Sequence, residues 1–284
     1  KNSSGVIMEL MKGNIRSFKF NDYRDFFRMM GTLCYGLHCM HTKGFLHLDI
    51  KPLNSLYEEV HIDGRDTYNA FLTDFGLSLR CDNVYSGINT VHLKMTPGYV
   101  PPEIMEISLS KDNKVKIYKY TDKTDVFSLG VTFIRLLGFS YGFDYSSKKM
   151  EPVLKFWKEF FESGKRARTS LMEIINRFNK KLKVKIPDLK KIQLVEFLYS
   201  MVRYDPKDRL SSKDLIPGNA LFEGMTFNSR CLAKPVEFYY VPYLNVMTMK
   251  GIKAIRQEFE TSLKNIPITV YFLAVELFLR FMRN

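Results

Sequence analysis

Cysteine is scarce in this 284-residue chain: Cys34, Cys39, Cys81 and Cys231 are scattered, with no C-x-x-C pair among them. That argues against a zinc site or a disulfide framework and for a reducing, intracellular setting, cytoplasm or nucleus. No N-terminal signal pattern opens the chain, which starts at Lys1 and reads as a piece of something longer. A membrane span is missing too. The most apolar stretch, 266–282, carries Glu276 and Arg280 and is short for a crossing, so it reads as a buried helix. Acids are in deficit, 30 against 43 Lys and Arg, for a net charge of +13. Such an excess suits nucleic acid, acidic substrates or an anionic surface. Lys-rich solvated faces are the better account of most of it, and no specific nucleic-acid partner is expected. The 45% hydrophobic content is ample for one large or two modest domains.

Against these absences stands one dense stretch, His47-Leu48-Asp49-Ile50-Lys51-Pro52-Leu53-Asn54, with Asp74-Phe75-Gly76 downstream. Two acids, a lysine and an asparagine sit at spacings suited to holding a metal-bound nucleotide phosphate beside a hydroxyl. H-x-D-x-K-x-x-N followed by D-F-G resembles the catalytic and metal-binding segments of protein kinases. The resemblance implies ATP and Mg²⁺ as cofactors and a role for each residue. Asp49 orients and deprotonates the substrate hydroxyl, Lys51 offsets charge on the transferred phosphoryl group, and Asn54 and Asp74 hold the metal. His47, Phe75 and Gly76 complete the two motifs as structural support.

Further segments follow in family order. Val6-Ile7-Met8-Glu9-Leu10-Met11 fits a strand entering a turn at Lys12-Gly13-Asn14. An ordinary core strand suits it locally; the resemblance implies the hinge, with Met8 as gatekeeper and the backbones of Glu9 and Met11 facing adenine. Asn21 can cap a helix whose apolar stripe is Phe26, Met30, Leu33, Leu37 and Met40, ended by Gly44. Residues 55–60 and 70–73 read as strands joined by a polar turn at 61–66, where His61 and Asp63 suit solvent better than a metal. Residues 77–95 are polar and mixed, as an activation loop is. They run into Thr96-Pro97-Gly98-Tyr99-Val100-Pro101-Pro102-Glu103, which resembles the T-P-x-Y-x-A-P-E segment that shapes a kinase substrate groove, with Pro101 for Ala. After a Lys-rich insertion at 107–120, Thr121 or Asp122 caps a helix reading D-V-F-S-L-G. There Asp125 matches the residue that braces the catalytic loop. Asp205-Pro206-Lys207-Asp208-Arg209 resembles the segment whose Arg209 pairs with Glu103.

The expected fold is mainly α with small β hairpins, the large lobe of a protein kinase at 15–225. Residues 1–14 would be the last small-lobe strand and the hinge, and 226–284 a helical extension. Within the extension, 252–263 and 268–282 read as helices. The second is similar to the L-A-V-x-x-x-D-R-F helix of a cyclin box, with Leu279 where the Asp would stand. The alternatives are the start of a cyclin-like domain and an amphipathic extension packing on the lobe, with a cyclin-like or docking partner expected through these helices.

Two departures qualify the resemblance. Leu48 replaces the Arg that pairs with an activation-loop phosphate, so activity is expected not to depend on phosphorylation there. No Gly-rich loop, strand lysine or partner glutamate precedes Val6. The small lobe is therefore expected to be essentially absent from this chain, which alone would be poorly active. With Lys51 and Thr96 as they stand, the resemblance implies a Ser/Thr protein kinase acting on protein substrates. The alternatives are a pseudokinase or scaffold, which the intact Asp49, Lys51, Asn54 and Asp74 oppose, and a small-molecule phosphotransferase, which the Thr96–Glu103 segment opposes.

Overall fold

A computed structural model describes residues 11–62, 64–112, 114–141, 150–216 and 219–223. Met8, Glu9 and the extension at 226–284, with its cyclin-like stretch, lie outside these residues. A two-residue strand, β1 (Gly13–Asn14), and a 3-10 turn at Ile15–Ser17 lead to the first helix, α1 (Tyr23–Thr42). Asp22, and not Asn21, caps it: its carboxylate accepts the Arg24 N–H at 2.8 Å. The Asn21 carbonyl is occupied elsewhere, accepting the N–H groups of Lys183 at 2.7 Å and Val184 at 3.1 Å. All five residues of the expected stripe are buried, and so are Phe27, Met29 and Cys34 on other faces. A helix apolar on more than one face lies inside the fold rather than on its surface.

The chain then forms β2 (Phe45–Leu46), a loop ending in a 3-10 turn at Pro52–Asn54, β3 (Ser55–Ile62) and β4 (Arg65–Leu72). The hairpin corrects the sequence reading. Its strands pair as far as His61↔Asp66 and Ile62↔Arg65, so the paired strands run further than the sequence suggests. The segment is largely strand rather than turn, while His61 and Asp66 stay exposed to solvent as their polarity suggests. His61 Nδ1 lies 2.9 Å from Asp66 Oδ1 across the ladder, and Arg65 reaches back to pair with Asp22 and Asp25 at the start of α1. β1 flanks β3 to give a three-stranded sheet in the order β1-β3-β4, with β4 packed on α1.

Beyond it come β5 (Leu79–Arg80), paired with β2, then β6 (Ile88–Thr90), α2 (Pro102–Leu109) and β7 (Tyr118–Tyr120), paired with β6. The stretch read as a Lys-rich insertion thus begins as the end of α2 and finishes as a strand. Four helices complete the described residues: α3 (Asp122–Leu136), α4 (Glu151–Phe160), α5 (Gly164–Lys181) and α6 (Asp188–Met201). Of the two candidate caps, Thr121 takes the position, its N–H donating to Thr124 Oγ1 at 3.1 Å. The result is far more helix than strand, with three small sheets among the described residues. No helix among them is long and apolar enough to cross a membrane.

α3 runs through the middle, buried along nearly its whole length. Trp157 of α4 packs edge-on to Phe127 with ring centroids 5.1 Å apart. On another side Gly130 lets α3 approach the end of α6: a Cβ there would meet Val202 Cγ1 at 2.7 Å and Met201 Cβ at 2.9 Å. A Gly130→Ala substitution therefore overpacks this contact. It is expected to cost about 1–3 kcal/mol despite the better helix propensity of alanine, read as a lower urea midpoint with an unchanged slope.

Candidate active site

The loop between β2 and β3 is held from α3. Asp125, fully buried, accepts the backbone N–H of His47 at 2.7 Å on Oδ2 and that of Leu48 at 2.8 Å on Oδ1. His41 of α1 adds its Nε2 at 2.9 Å, and since a carboxylate only accepts, that nitrogen carries the proton. Leu48 is itself buried and has φ +65°, a left-handed conformation that costs a leucine energy. His47 turns inward. Its Nδ1 accepts the Asp49 N–H at 3.3 Å, its Nε2 lies 3.1 Å from the Thr73 carbonyl, and its ring sits 5.1 Å from that of Phe75. Burial pushes the His47 pKa below its ordinary value, which suits a neutral ring with one accepting and one donating nitrogen.

Asp49, Lys51, Asn54 and Thr96 meet in one network. Lys51 Nζ donates to Asp49 Oδ2 at 2.7 Å and to Thr96 Oγ1 at 3.0 Å, while the Thr96 hydroxyl donates to Asp49 Oδ1 at 2.5 Å. Asn54 Nδ2 donates to Asp49 Oδ2 at 2.8 Å and to the Asp49 carbonyl at 3.0 Å. Asp74 is brought alongside by backbone pairing: Ser55 faces Leu72 in the hairpin and the Thr73 N–H donates to the Asn54 carbonyl at 3.0 Å. Asp74 is exposed, with φ +63° and Oδ1 accepting the Gly76 N–H at 3.4 Å. Asn54 Oδ1 and the Asp74 carboxylate are hard oxygen donors. Two such groups suit Mg²⁺, which takes one or two protein oxygens and fills its shell with water and phosphate. No group of three or more His, Cys, Asp or Glu side chains able to hold a metal occurs among the described residues. Met11, half-buried, precedes Lys12, whose N–H donates to the Tyr57 carbonyl at 3.0 Å.

The segment that carries Thr96 is anchored at both ends. Ser128 Oγ donates to the Tyr99 carbonyl and Tyr141 Oη to the Gly98 carbonyl, each at 2.9 Å. Glu103, in the first turn of α2, meets Arg209 in a two-pronged pair of 2.8 and 2.9 Å. The guanidinium also donates to the carbonyls of Arg203, Lys123 and Tyr204 and lies 4.9 Å from the Phe127 ring centroid. Sequence reasoning missed a companion tie. Asp122 is buried and accepts the Ser211 hydroxyl at 2.5 Å and the Ser212 N–H at 3.0 Å. Its signal was the repeat of aspartate three residues apart at 122 and 125, which puts both on the same side of a helix start. His41 was also missed; nothing local distinguishes it from a histidine at a helix end.

Arg209 thus satisfies one carboxylate and three carbonyls from a side chain with no exposure. Arg209→Ala is expected to cost about 3–5 kcal/mol in chemical denaturation, because the partners stay buried without a donor. Glu103→Gln keeps the shape and one acceptor and should cost about half as much.

A family model described as protein kinase domain matches residues 1–218. Relatives include a probable serine/threonine-protein kinase of Dictyostelium discoideum, 34% identical over 117 residues, or 40% of this chain and 7% of that protein. Calcium-dependent protein kinase 5 of Plasmodium berghei is 29% identical over 157 residues, 53% of this chain and 24% of that protein. Human calcium/calmodulin-dependent protein kinase type 1B is 28% identical over 152 residues, 50% of this chain and 39% of that protein. The matches thus span well under half the length of these relatives. The family match takes in the Asp49 network, the Glu103–Arg209 clamp and Asp125, and the chain belongs to the protein kinase family.

Proposed function

We propose that this chain carries the catalytic lobe of a Ser/Thr protein kinase, transferring the terminal phosphoryl group of ATP to hydroxyls of protein substrates. The observation that carries the reading is the Asp49 carboxylate, which already accepts a hydroxyl, that of Thr96, at 2.5 Å beside the Lys51 ammonium. An acid that holds one hydroxyl in this way is suited to orienting and deprotonating a second. Lys51 keeps a positive charge where negative charge gathers during transfer. Asn54 and Asp74 supply oxygen donors for Mg²⁺, and ATP, when bound with that metal, supplies the phosphoryl group. The Thr96–Glu103 segment, fixed by Arg209, Ser128 and Tyr141, offers a platform for a polypeptide. That platform favours protein over small-molecule substrates.

The test is transfer of labelled phosphate from Mg²⁺-ATP to a degenerate pool of peptides carrying Ser, Thr and Tyr by the protein at its natural length. Asp49→Asn should lower kcat by about 10²- to 10⁴-fold with little change in the KM for ATP. Thr96→Ser should retain most activity, and Thr96→Val should lose about tenfold or more. Equal rates for wild type and Asp49→Asn, or label on tyrosine alone, would refute the reading.

A further inference from the structure

Three links fasten the stretch 84–94 to the residues that lead into α3. β6 and β7 pair antiparallel, Ile88 with Tyr120 and Thr90 with Tyr118. The Asp122 N–H donates to the Val84 carbonyl at 3.0 Å. The Tyr120 hydroxyl accepts the Lys94 N–H at 3.0 Å and donates to the His92 carbonyl at 3.1 Å. Tyr120 is fully buried, and burial pushes its hydroxyl up to about 12, so the phenol keeps its donor proton at neutral pH. Gly87 permits the close approach. It has φ +86°, and a Cβ there would stand 2.6 Å from the Tyr120 carbonyl oxygen and 2.8 Å from Thr121 Cγ2.

The far side of this staple is itself tied by hydrogen bonds. Thr121 caps α3, Asp122 is tied to Ser211 and Ser212, and Asp125 holds the backbone at His47 and Leu48. One run of six residues, 120–125, therefore grips both the loop bearing Asp49 and the segment bearing Thr96. Lys94, the residue that Tyr120 holds by its N–H, stands two positions before Thr96. Leu48, next to Asp49, is apolar and fully buried and offers no charge to a phosphate. The backbone of 88–90 is already committed to β7, and Thr90 Oγ1 accepts the His92 N–H at 3.2 Å.

We propose that Tyr120 is a positioning residue for phosphoryl transfer, its hydroxyl setting Lys94 and hence Thr96 against Asp49, so that this segment takes its working arrangement without being phosphorylated. The proposal rests on the kinase reading of the Asp49 site and deepens it.

The test uses the protein at its natural length and the Tyr120→Phe variant, which keeps the ring and removes the hydroxyl. Hydrogen exchange at the Lys94 amide should accelerate about 3- to 10-fold, the equivalent of one hydrogen bond. The KM for a peptide substrate should rise by about fivefold or more while the KM for ATP stays put, a split that general loss of stability does not produce. Gly87→Ala, which presses on Tyr120 from the other side, should give the same exchange pattern. Phosphatase treatment, and the variant Ser86→Ala, should leave the rate within about twofold of wild type. Unchanged exchange at Lys94 overturns the proposal whether or not the protein is active, and so does a tenfold loss on phosphatase treatment. Faster exchange in a protein that transfers no phosphate overturns the reading of the Asp49 site instead.

Discussion

One carboxylate with no solvent exposure, that of Asp125, is the interaction on which the rest depends. Burying such a group costs several kcal/mol unless donors replace the lost water. Here three do: the N–H groups of His47 and Leu48, and His41 Nε2. Hydrogen bonds to a charged group are worth about 1.5–3 kcal/mol each, whereas a leucine held in the left-handed region costs about 1–3 kcal/mol. The bonds win. A helix remote in sequence can therefore keep Leu48 at φ +65°, and Asp49, the next residue, inherits its orientation from that strain.

The same device recurs at two neighbouring sites. Asp122 stands at the start of α3, and Glu103 in the first turn of α2, where helix N-termini favour negative charge. Each reaches a segment far along the chain, Ser211 and Ser212 in one case and Arg209 in the other. By contrast Lys155–Glu159, Arg166–Glu162 and Lys191–Asp188 are pairs within one turn, each with at least one strongly exposed partner. Pairs of that kind are worth about 0–1 kcal/mol and hold nothing remote together. The excess positive charge of the chain is thus a poor guide to its chemistry. Burial and reach distinguish the structural charges.

This contrast also explains what could be read from the residues alone. The segments around Asp49, Asp74 and Thr96–Glu103 were legible because their chemistry-bearing residues are contiguous, and the helix of Phe26 and Met30 because its period is local. The extent of the hairpin was misjudged because Arg65, polar and read as part of a turn, lies on a paired strand and is answered by Asp22 and Asp25, some forty residues earlier. Local pattern cannot distinguish a polar residue facing water from one facing a distant partner. The pairing of β6 with β7 was invisible for a related reason: strands of three residues carry almost no alternation. Asn21 and Asp22 are both good caps by type, and only the engagement of the Asn21 carbonyl by Lys183 and Val184 separates them.

The hydrogen-bond capacity of Asp49 limits where a substrate could meet it. An ionised carboxylate has about four acceptor positions, two on each oxygen. Oδ2 accepts from Lys51 and Asn54, which uses both of its positions, while Oδ1 accepts from Thr96 alone. In the proposed reaction the incoming hydroxyl therefore goes to Oδ1, beside the Thr96 hydroxyl and on the oxygen that Lys51 does not touch. Two consequences follow. Thr96 aims the carboxylate without filling it, so a side chain larger than threonine there would compete with the substrate itself. Lys51, held by Oδ2 and by Thr96, is not consumed in binding the attacking hydroxyl, which leaves its charge for the group being transferred. The arrangement works only while Asn54 keeps Oδ2 occupied, and that ties the residue expected to hold the metal to the residue expected to take the proton.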